Sequence, residues 1–158
     1  MEPKRKVKDL VIPLSKYPHM PHWASLGEAI AQLNVAFETG HHTVLVFDEA
    51  YKLIGMLLQK DILKGLEPRF AGHYSEEAPI LWESLLESVS KKRLSQPIKD
   101  FMSEAKITLD AEDSILKASH VMLDEEACLL PVMERAKLIG VVRMGDIFQQ
   151  ITNALLKL

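Results

Sequence analysis

The sequence KLIGMLLQKDIL at residues 52–63 recurs as KLIGVVRMGDIF at residues 137–148, 85 positions later. In both copies a short apolar run containing a glycine leads to an aspartate, Asp61 or Asp146. A continuous apolar run of this length is typical of a buried strand, and aspartate is favoured at the start of a helix. The recurrence therefore predicts one strand-to-helix corner that the chain builds twice.

The match between the copies extends over most of the chain. VKDLV at residues 7–11 corresponds to IKDFM at 98–102, an offset of 91, and SLGEAIAQL from Ser25 corresponds to SILKASHVM from Ser114, an offset of 89. The offset falls to 85 because the first copy has extra residues before its first helix and around FETGHH, where loops tolerate insertions. We therefore divide the chain into a first repeat (1–66), a linker (67–96) and a second repeat (97–158).

Each repeat has the apolar spacing of a short strand, a helix, two strands and a second helix. Apolar residues recur at helical intervals after Ser25 and after Ser114, both residue types that favour helix starts. Each of these helices is followed by two apolar runs with a charged turn between them, which indicates two strands joined by a turn. The predicted elements are strands at TVLVFD (43–48), KLIGMLL (52–58), CLLPVM (128–133) and KLIGVV (137–142), and closing helices from Asp61 to about Leu66 and from Asp146 to about Leu156.

The composition excludes several classes of protein. With 47% apolar residues, 26% charged residues and a net charge of −3, the chain is typical of a globular protein with a buried core. The single cysteine, Cys128, lies in the apolar run ACLLPVM, where we expect it to be buried, and it cannot form an internal disulfide. No apolar run is long enough to cross a membrane, and the N-terminus lacks the apolar stretch of a signal peptide. We therefore expect a cytoplasmic protein that binds neither membrane nor nucleic acid, with a solvated basic terminus at Lys4, Arg5, Lys6 and Lys8.

The ordered set IKDFM, ITLDAEDSILKASHVM, LLPVM and LIGVVRMGDI resembles the cystathionine-beta-synthase (CBS) domain, and the first copy is a more divergent form of the same pattern. The resemblance implies an α/β (α+β) fold with two pseudo-symmetric repeats, each a small three-stranded sheet with two helices. It also implies that the repeats pack sheet-to-sheet into one module. That arrangement accounts for the duplication, because half a module leaves one sheet face uncovered and its twin covers it.

The resemblance implies a ligand site in the cleft between the copies. In CBS pairs that bind adenosine derivatives, the closing aspartate contacts the ribose hydroxyls, and Asp61 and Asp146 occupy that position. A carboxylate accepts two hydrogen bonds from a vicinal diol, and the N–H groups at a helix start suit a phosphate. The alternative is that both aspartates only cap their helices.

Three residues before that aspartate the family usually has Thr or Ser, and this chain has neither. Leu58 in the first copy forms no side-chain hydrogen bond, whereas Arg143 in the second has a forked cation that suits a phosphate. The alternative for Arg143 is a surface pair with a nearby acidic residue. The site around Asp146 is therefore the stronger candidate.

The remaining wall of that site also follows from the resemblance. The family uses backbone groups before the first helix and at the start of the next strand, and these fit the edge of an adenine ring. The corresponding residues are Ile107, Thr108, Leu130, Pro131 and Val132, and their apolar side chains are alternatively core. The first-copy equivalents are Pro18, His19 and Met20, followed by Leu45 to Phe47.

Two other features of the sequence have more than one interpretation. His19, His22, His41 and His42 all lie in the first copy, but their spacing is not that of metal ligands, so we expect no metal site. The linker segment ILWESLLESVSKKRL, residues 80–94, has the pattern of an amphipathic helix. Such a helix covers its own domain, caps an assembly or offers a surface to a partner protein.

Nothing in the sequence has the pattern of a catalytic site, so we expect no enzyme and no cofactor. Two functions remain. The first is a regulatory module that senses an adenosine-containing small molecule, such as AMP, ADP, ATP or S-adenosylmethionine, and signals to a separate effector protein. The second is a ligand-independent scaffold. The resemblance implies a homodimer for either function.

Overall fold

The structure is a computed structural model that describes residues 5–66 and 91–158. The strands are β1 (Ile12–Pro13), β2 (His19–Pro21), β3 (Val44–Phe47), β4 (Leu53–Leu57), β5 (Ser103–Glu104), β6 (Leu109–Asp110), β7 (Leu129–Glu134) and β8 (Lys137–Arg143). The helices are α1 (Leu26–Ala36), α2 (Gln59–Leu66), α3 (Lys91–Ser95), α4 (Ile115–Asp124) and α5 (Met144–Leu156). Single 3-10 turns lie at Val7–Asp9, Leu14–Lys16, Phe37–Thr39 and Ile98–Asp100.

The chain forms two compact units that do not follow the order of the repeats. The repeat-1 unit is Pro18–Glu104, and the repeat-2 unit combines Met1–Tyr17 with Ala105–Leu158. The segment that leads into the first repeat therefore belongs to the unit of the second repeat. Likewise, the segment at the start of the second repeat, through β5, belongs to the unit of the first.

Each unit contains one mixed sheet of four strands, one strand more than predicted. The order is β2-β3-β4-β5 in the repeat-1 unit and β1-β8-β7-β6 in the repeat-2 unit. Within each sheet one pair is parallel, β2 with β3 or β6 with β7, and the other neighbours are antiparallel. The additional strands are β5 and β1. Each lies in the segment that leads into one repeat but belongs to the unit of the other, and we call these two segments the exchanged leading segments. The three-stranded prediction is wrong because it assigns each repeat only strands from its own sequence.

The two leading segments make the same contacts in their respective units. Val7 donates its N–H to the carbonyl of Asp113 at 2.8 Å, and Ile98 donates to that of Ala24 at 2.8 Å. Both apolar side chains are fully buried. The first residue of each neighbouring helix makes a second hydrogen bond to the same segment: Ile115 of α4 donates its N–H to the Arg5 carbonyl, and Leu26 of α1 donates to the Gln96 carbonyl, each at 2.9 Å. The equivalent residues of these two sets of bonds are 91 residues apart in the leading segments and 89 residues apart at the helix starts, as the sequence repeat predicts.

The glycine of each KLIG motif lies next to the backbone of an exchanged strand, β5 or β1, and leaves no room for a side chain. A Cβ atom on Gly55 would lie 2.7 Å from the Ser103 carbonyl oxygen of β5. A Cβ atom on Gly140 would collide with the Ile12 carbonyl oxygen of β1. Real Cβ contacts are longer than this, so a side chain at either position would push the neighbouring strand away. The recurrence of the motif therefore follows from the strand exchange.

The predicted helix starts are confirmed for α1 and α4. Ser25 precedes α1 and accepts the Glu28 N–H at 3.1 Å, and Ser114 precedes α4 and accepts the Lys117 N–H at 3.0 Å. These are N-cap bonds of the expected kind. The helices α2 and α5 begin two residues earlier than predicted, so each closing aspartate is the third residue of its helix.

Each unit has a core of its own, built from strand residues and the inner faces of its helices. The repeat-1 core contains Ala24, Leu26, Ala29, Val44, Val46, Leu57, Ile62 and Ile98. The repeat-2 core contains Val7, Leu109, Ala111, Ile115, Ala118, Met122, Leu130, Val132, Val142 and Ile147.

Two predictions about individual side chains are wrong. Cys128 is exposed rather than buried, because β7 begins one residue after it. Lys6 and Lys8 of the basic terminus, which we expect to be frayed, are instead held by Glu112, with N–O distances of 2.5 and 2.9 Å, although both side chains remain about half exposed. Lys4 lies outside the described residues. Hydrogen bonds from Lys6 and Lys8 lower the pKa of Glu112 to about 2.

The predicted linker helix lies mostly outside the described residues. Its last residues form α3, where Arg93 donates a hydrogen bond to the Gly65 carbonyl at the end of α2. Within the described ranges, no helix has the length and apolar character of a membrane span.

Candidate functional site

One end of the repeat-2 sheet gathers most of the predicted ligand-binding residues. In the parallel pair of β6 with β7, Leu109 lies opposite Val132, and in the antiparallel pair of β7 with β8, Leu129 lies opposite Arg143. The residues before β6, the first residues of β7 and the last residue of β8 therefore meet at the same end of the sheet. Ile107, Thr108, Leu130, Pro131 and Arg143 lie at this end, and Asp146 follows in the first turn of α5.

These residues differ in what they offer to a ligand. Ile107 and Thr108 are exposed, whereas Leu130, Pro131 and Val132 are buried. The side chains of the β7 residues are thus part of the core, as the alternative interpretation held, but Ile107 is not. Any polar contact from the start of β7 to a ligand would come from its main chain.

Arg143 and Asp146 form a two-pronged ion pair at this sheet end. Arg143 Nε donates to Asp146 Oδ2 at 2.9 Å, and Nη2 donates to Oδ1 at 3.1 Å. The side chains keep 31% and 27% of their exposure, so the pair lies at the surface. Hydrogen bonding to Asp146 raises the pKa of Arg143, and the buried Tyr17 lies close enough to contribute. The alternative predicted for Arg143, a pair with a nearby acid, is therefore what the structure contains.

The equivalent aspartate of the repeat-1 unit is held differently. Asp61 is only 7% exposed, and its Oδ2 accepts the N–H of Leu58 at 2.9 Å, which closes the first turn of α2. The hydroxyl of Ser103 lies 3.1 Å from both carboxylate oxygens. Asp61 therefore caps its helix and ties that helix to β5.

The contrast between the two aspartates follows from different residue types at two equivalent positions of the repeats. Leu58 and Arg143 are equivalent in the 85-residue offset. Ser103 and Ile12 are equivalent by register, since Ser103 lies opposite Met56 and Ile12 opposite Val141. Among the described residues, the repeat-1 carboxylate thus has a hydroxyl partner, Ser103, and the repeat-2 carboxylate has a cationic partner, Arg143. Sequence reasoning missed Ser103, although the offset of 91 between the leading segments already aligns it with Ile12.

The first-copy equivalents of the adenine wall also gather at one sheet end. His19 lies opposite Leu45 in the parallel pair of β2 with β3, and the Pro18 carbonyl accepts the Leu45 N–H at 3.0 Å. The His19 ring packs edge-on against Phe47 and Tyr51, with ring centroids 6.0 and 6.4 Å apart. The His19 side chain is thus directed toward the β3–β4 turn, where Tyr51 is exposed.

The histidines of the first copy do not converge. His22 Nε2 lies 2.7 Å from Glu49 Oε1, and this hydrogen bond lowers the pKa of Glu49. His41 and His42 line a groove of about 400 Å³ on the helical side of the repeat-1 unit, between α1 and α2. In the part of the chain that the structure describes, no three His, Cys, Asp or Glu side chains are arranged to hold a metal ion.

Comparison with known proteins gives a family match over part of the chain and a fold match over nearly all of it. Residues 98–153 match the model of the CBS domain. No curated protein matches the sequence significantly.

Many solved structures resemble this chain in fold. The CBS-pair protein CBSX2 from Arabidopsis thaliana is 18% identical, with 94% of this chain and 95% of that chain covered and a TM-score of 0.68. CBSX2 is also known in complex with AMP, at a TM-score of 0.67. A CBS domain-containing protein of unknown function from Bacillus anthracis is 21% identical, with coverage of 96% and 95% and a TM-score of 0.69.

A further match is the cytosolic domain of the Mg²⁺ channel MgtE in complex with ATP, which is 16% identical with a TM-score of 0.62. It covers 92% of this chain but 48% of that one. Identities this low establish the fold alone. Residues 98–153 thus match the CBS domain model, and the chain as a whole has the fold of the CBS-pair proteins.

Proposed function

We propose that this protein is a regulatory module that binds an adenosine-containing ligand at the Asp146 end of the repeat-2 sheet and signals to a separate effector protein. The observation that carries the proposal is the convergence of Asp146, Arg143 and the exposed Thr108 at one sheet end of a CBS-pair fold. The AMP complex of CBSX2 and the ATP complex of the MgtE cytosolic domain support an adenine nucleotide as the ligand class.

Each part of the sheet end has a chemical counterpart in such a ligand. The Asp146 carboxylate suits the two ribose hydroxyls, and the forked Arg143 guanidinium suits a phosphate. The first N–H groups of α5 face the same anion, because a helix start has unpaired donors and a partial positive charge. Main-chain groups of Leu130 to Val132 and of Ile107 suit the edge of the adenine ring. None of these groups requires a cofactor or a catalytic step.

The proposal assigns Asp61 a lesser part in binding than Asp146. Its carboxylate is buried and already accepts hydrogen bonds from Leu58 and Ser103. A ribose would have to displace both donors, and the buried groups left behind would lose their partners. We therefore expect a single nucleotide site, at Asp146.

Ligand binding is tested by calorimetry and thermal shift with AMP, ADP, ATP and S-adenosylmethionine. We expect saturable binding of at least one compound, and a stabilisation of about 2.7 kcal/mol at a hundredfold excess over its dissociation constant. Asp146→Asn should weaken binding at least tenfold. The matched control is Asp124→Asn, an exposed aspartate at the end of α4. Equal loss of binding in both variants, or no binding by the unaltered protein, contradicts the proposal.

A ligand-independent dimerising scaffold is the second candidate, and the exposed apolar side chains of the helices favour it. Phe37 and Leu63 are 61% and 68% exposed, and Leu116, Leu123 and Phe148 are between 66% and 72% exposed. Phe37 and Leu63 line the same groove between α1 and α2, and contiguous exposed apolar side chains mark a surface that associates. We expect the protein to sediment as a homodimer, and we expect Leu123→Glu or Leu63→Glu to shift it toward the monomer. A monomer's mass at micromolar concentration contradicts the dimer.

A further inference from the structure

The groove between α1 and α2 lies in the repeat-1 unit, whereas Asp146 lies in the repeat-2 unit. Its volume of about 400 Å³ is within the range of small-molecule sites, about 300 to 1,000 Å³. Most of its lining is apolar and comes from both helices and the residue that follows α1: Ile30, Leu33, Phe37, Ile62 and Leu63.

The polar residues of the lining gather at one end of the groove. Val44, the first residue of β3, lies opposite Leu57, the last residue of β4, so the end of α1 and the start of α2 lie at the same end of the sheet. Asn34 is in the last turn of α1, His42 is in the connection that follows it, and Gln59 is the first residue of α2. All three side chains are exposed. The groove thus has an apolar body and one polar end.

The polar end is a feature of the first copy that the repeat itself does not require. The offset of 89 aligns Asn34 with Leu123, and the offset of 85 aligns Gln59 with Met144. Two carboxamides of the first copy therefore replace apolar side chains of the second.

The connection after α1 is also longer than its equivalent. It runs from Phe37 to Thr43, whereas the connection after α4 runs only from Glu125 to Cys128. The longer connection brings Phe37 and His42 to the groove, where their ring centroids are 5.3 Å apart. Because the second copy closes the same connection without additional residues, the fold does not account for them, and a binding role does.

The chemistry of the polar end favours an anionic head group. Carboxamide and imidazole groups donate hydrogen bonds, and none of the described lining residues is acidic. A carboxylate, which has only acceptors, suits such donors, and a cationic head group finds no carboxylate among them. Of the exposed charged residues next to the lining in sequence, Lys60 and Lys64 outnumber Glu38, which also favours an anion.

We propose that this groove is a second binding site, for a small amphiphilic molecule with an apolar body and a carboxylate. Asn34, His42 and Gln59 donate hydrogen bonds to the carboxylate, and the apolar body lies along the apolar lining. A second copy of the chain fits the groove less well, because its apolar side chains would bury these polar groups without partners. The site is separate from nucleotide binding at Asp146.

The test is isothermal titration of octanoate, octanol and octylammonium against the intact protein. We expect octanoate to bind with a dissociation constant of about 1 mM or lower, which its size allows. It should bind about tenfold more tightly than octanol or octylammonium, because only the carboxylate forms charge-assisted bonds with the donors. Hexanoate should bind about tenfold more weakly than octanoate, because it buries two fewer methylene groups.

Two variants assign the ends of the ligand. Asn34→Leu combined with Gln59→Met gives the groove the residues of the second copy, and octanoate should then bind no more than about threefold more tightly than octanol. Phe37→Ala should weaken octanoate and octanol alike, because it removes apolar lining. The matched control makes the same changes at exposed positions of α5, Asn153→Leu with Gln149→Met, and should alter no affinity.

Four results would overturn the proposal. Octanoate does not bind, or octylammonium binds as tightly as octanoate. The control variant loses the octanoate preference, or the Asn34→Leu and Gln59→Met variant keeps it, which places the carboxylate elsewhere. A dimer that excludes octanoate, and that Leu63→Glu separates, would show that two copies meet at this groove. Titration of AMP in the same samples keeps these results distinct from a failure of the nucleotide site.

Discussion

At the scale of single residues, the two closing aspartates have the same position in the fold but different roles. Asp61 is buried with a main-chain donor and a hydroxyl, and Asp146 is half-buried with an arginine. Aspartate is favoured in the first turn of a helix whether or not it binds a ligand, so the residue type alone does not distinguish a structural role from a binding role. The distinction comes from the partners, Ser103 in one unit and Arg143 in the other.

The first prediction follows from this difference in burial. Asp61→Asn places an amide N–H₂ against the Leu58 N–H or the Ser103 hydroxyl, and we expect a loss of about 1–3 kcal/mol in the free energy of unfolding. Asp146→Asn breaks an ion pair at the surface, and we expect a loss of about 1 kcal/mol or less. Urea denaturation measures both. Ser103→Ala serves as a partial control, because it removes one partner of Asp61 and leaves the charge. Equal losses in the two asparagine variants would contradict the assignment of Asp61 to the fold.

The second prediction concerns the pH dependence of the Glu112 contacts. The lysines at positions 6 and 8 lower the pKa of Glu112 from 4.5 to about 2 in the folded protein. A carboxylate with a depressed folded pKa stabilises the fold above its unfolded pKa, and this stabilisation is lost as the pH falls from about 4.5 toward 2. Glu112→Gln should therefore lower the melting temperature at pH 7 and have a much smaller effect at pH 2. The difference should also shrink in 1 M salt, because the pairs are exposed. A difference that is independent of pH would show that Glu112 acts through packing.

At the scale of elements, the exchanged strands explain which positions of the repeat tolerate no side chain. The glycines of the two KLIG motifs face the carbonyls of Ser103 and Ile12, so each copy needs glycine for the same reason. The third prediction is that Gly55→Ala and Gly140→Ala each destabilise the protein by about 1–3 kcal/mol, the usual cost of forcing an additional group into a packed site. Chemical denaturation measures the loss.

Gly145 provides the matched control for these variants. It lies in the first turn of α5, and a Cβ atom there would meet nothing within 4 Å. Gly145→Ala should therefore stabilise the protein by about 0.4–1 kcal/mol, because alanine loses less conformational freedom on folding. A stabilising effect at Gly55 or Gly140 would mean that β5 or β1 does not pass where the structure places it.

The sequence predicts those elements whose signals are local. The strands β3, β4, β7 and β8 lie within one residue of their predicted bounds, because apolar runs mark them, and the helices α1 and α4 begin directly after the predicted serine caps. The strands β1 and β5 have two residues each and show no periodicity, so their pairing depends on contacts distant in sequence. The candidate site shows the same limit of local signals. The repeat predicts the positions of Arg143 and Asp146. Their ion pair and the contact of Ser103 with Asp61 are visible only in the folded chain.

At the scale of the whole molecule, the duplication is a reciprocal exchange of leading segments. Val7 and Ile98 are equivalent in the repeat, both are fully buried, and each belongs to the core of the unit that contains the other repeat. A single copy of the sequence would therefore lack both a core residue and an edge strand of its own unit. The exchange therefore explains why the chain carries the pattern twice. It is a more specific explanation than the covering of one sheet face by the other repeat.

The fourth prediction tests this exchange with two equivalent substitutions. Ile98→Ala leaves a cavity in the repeat-1 core, and we expect it to cost about 2–5 kcal/mol, with a somewhat smaller cost for Val7→Ala in the repeat-2 core. Native-state hydrogen exchange should locate the two losses in different units. Val7→Ala should speed exchange at the Ile115 and Ala118 amides of α4, and Ile98→Ala at the Leu26 and Ala29 amides of α1. If each residue instead stabilised its own repeat, the pattern would reverse, with Val7→Ala loosening α1. That reversal would refute the exchange and, with it, the explanation of the KLIG glycines.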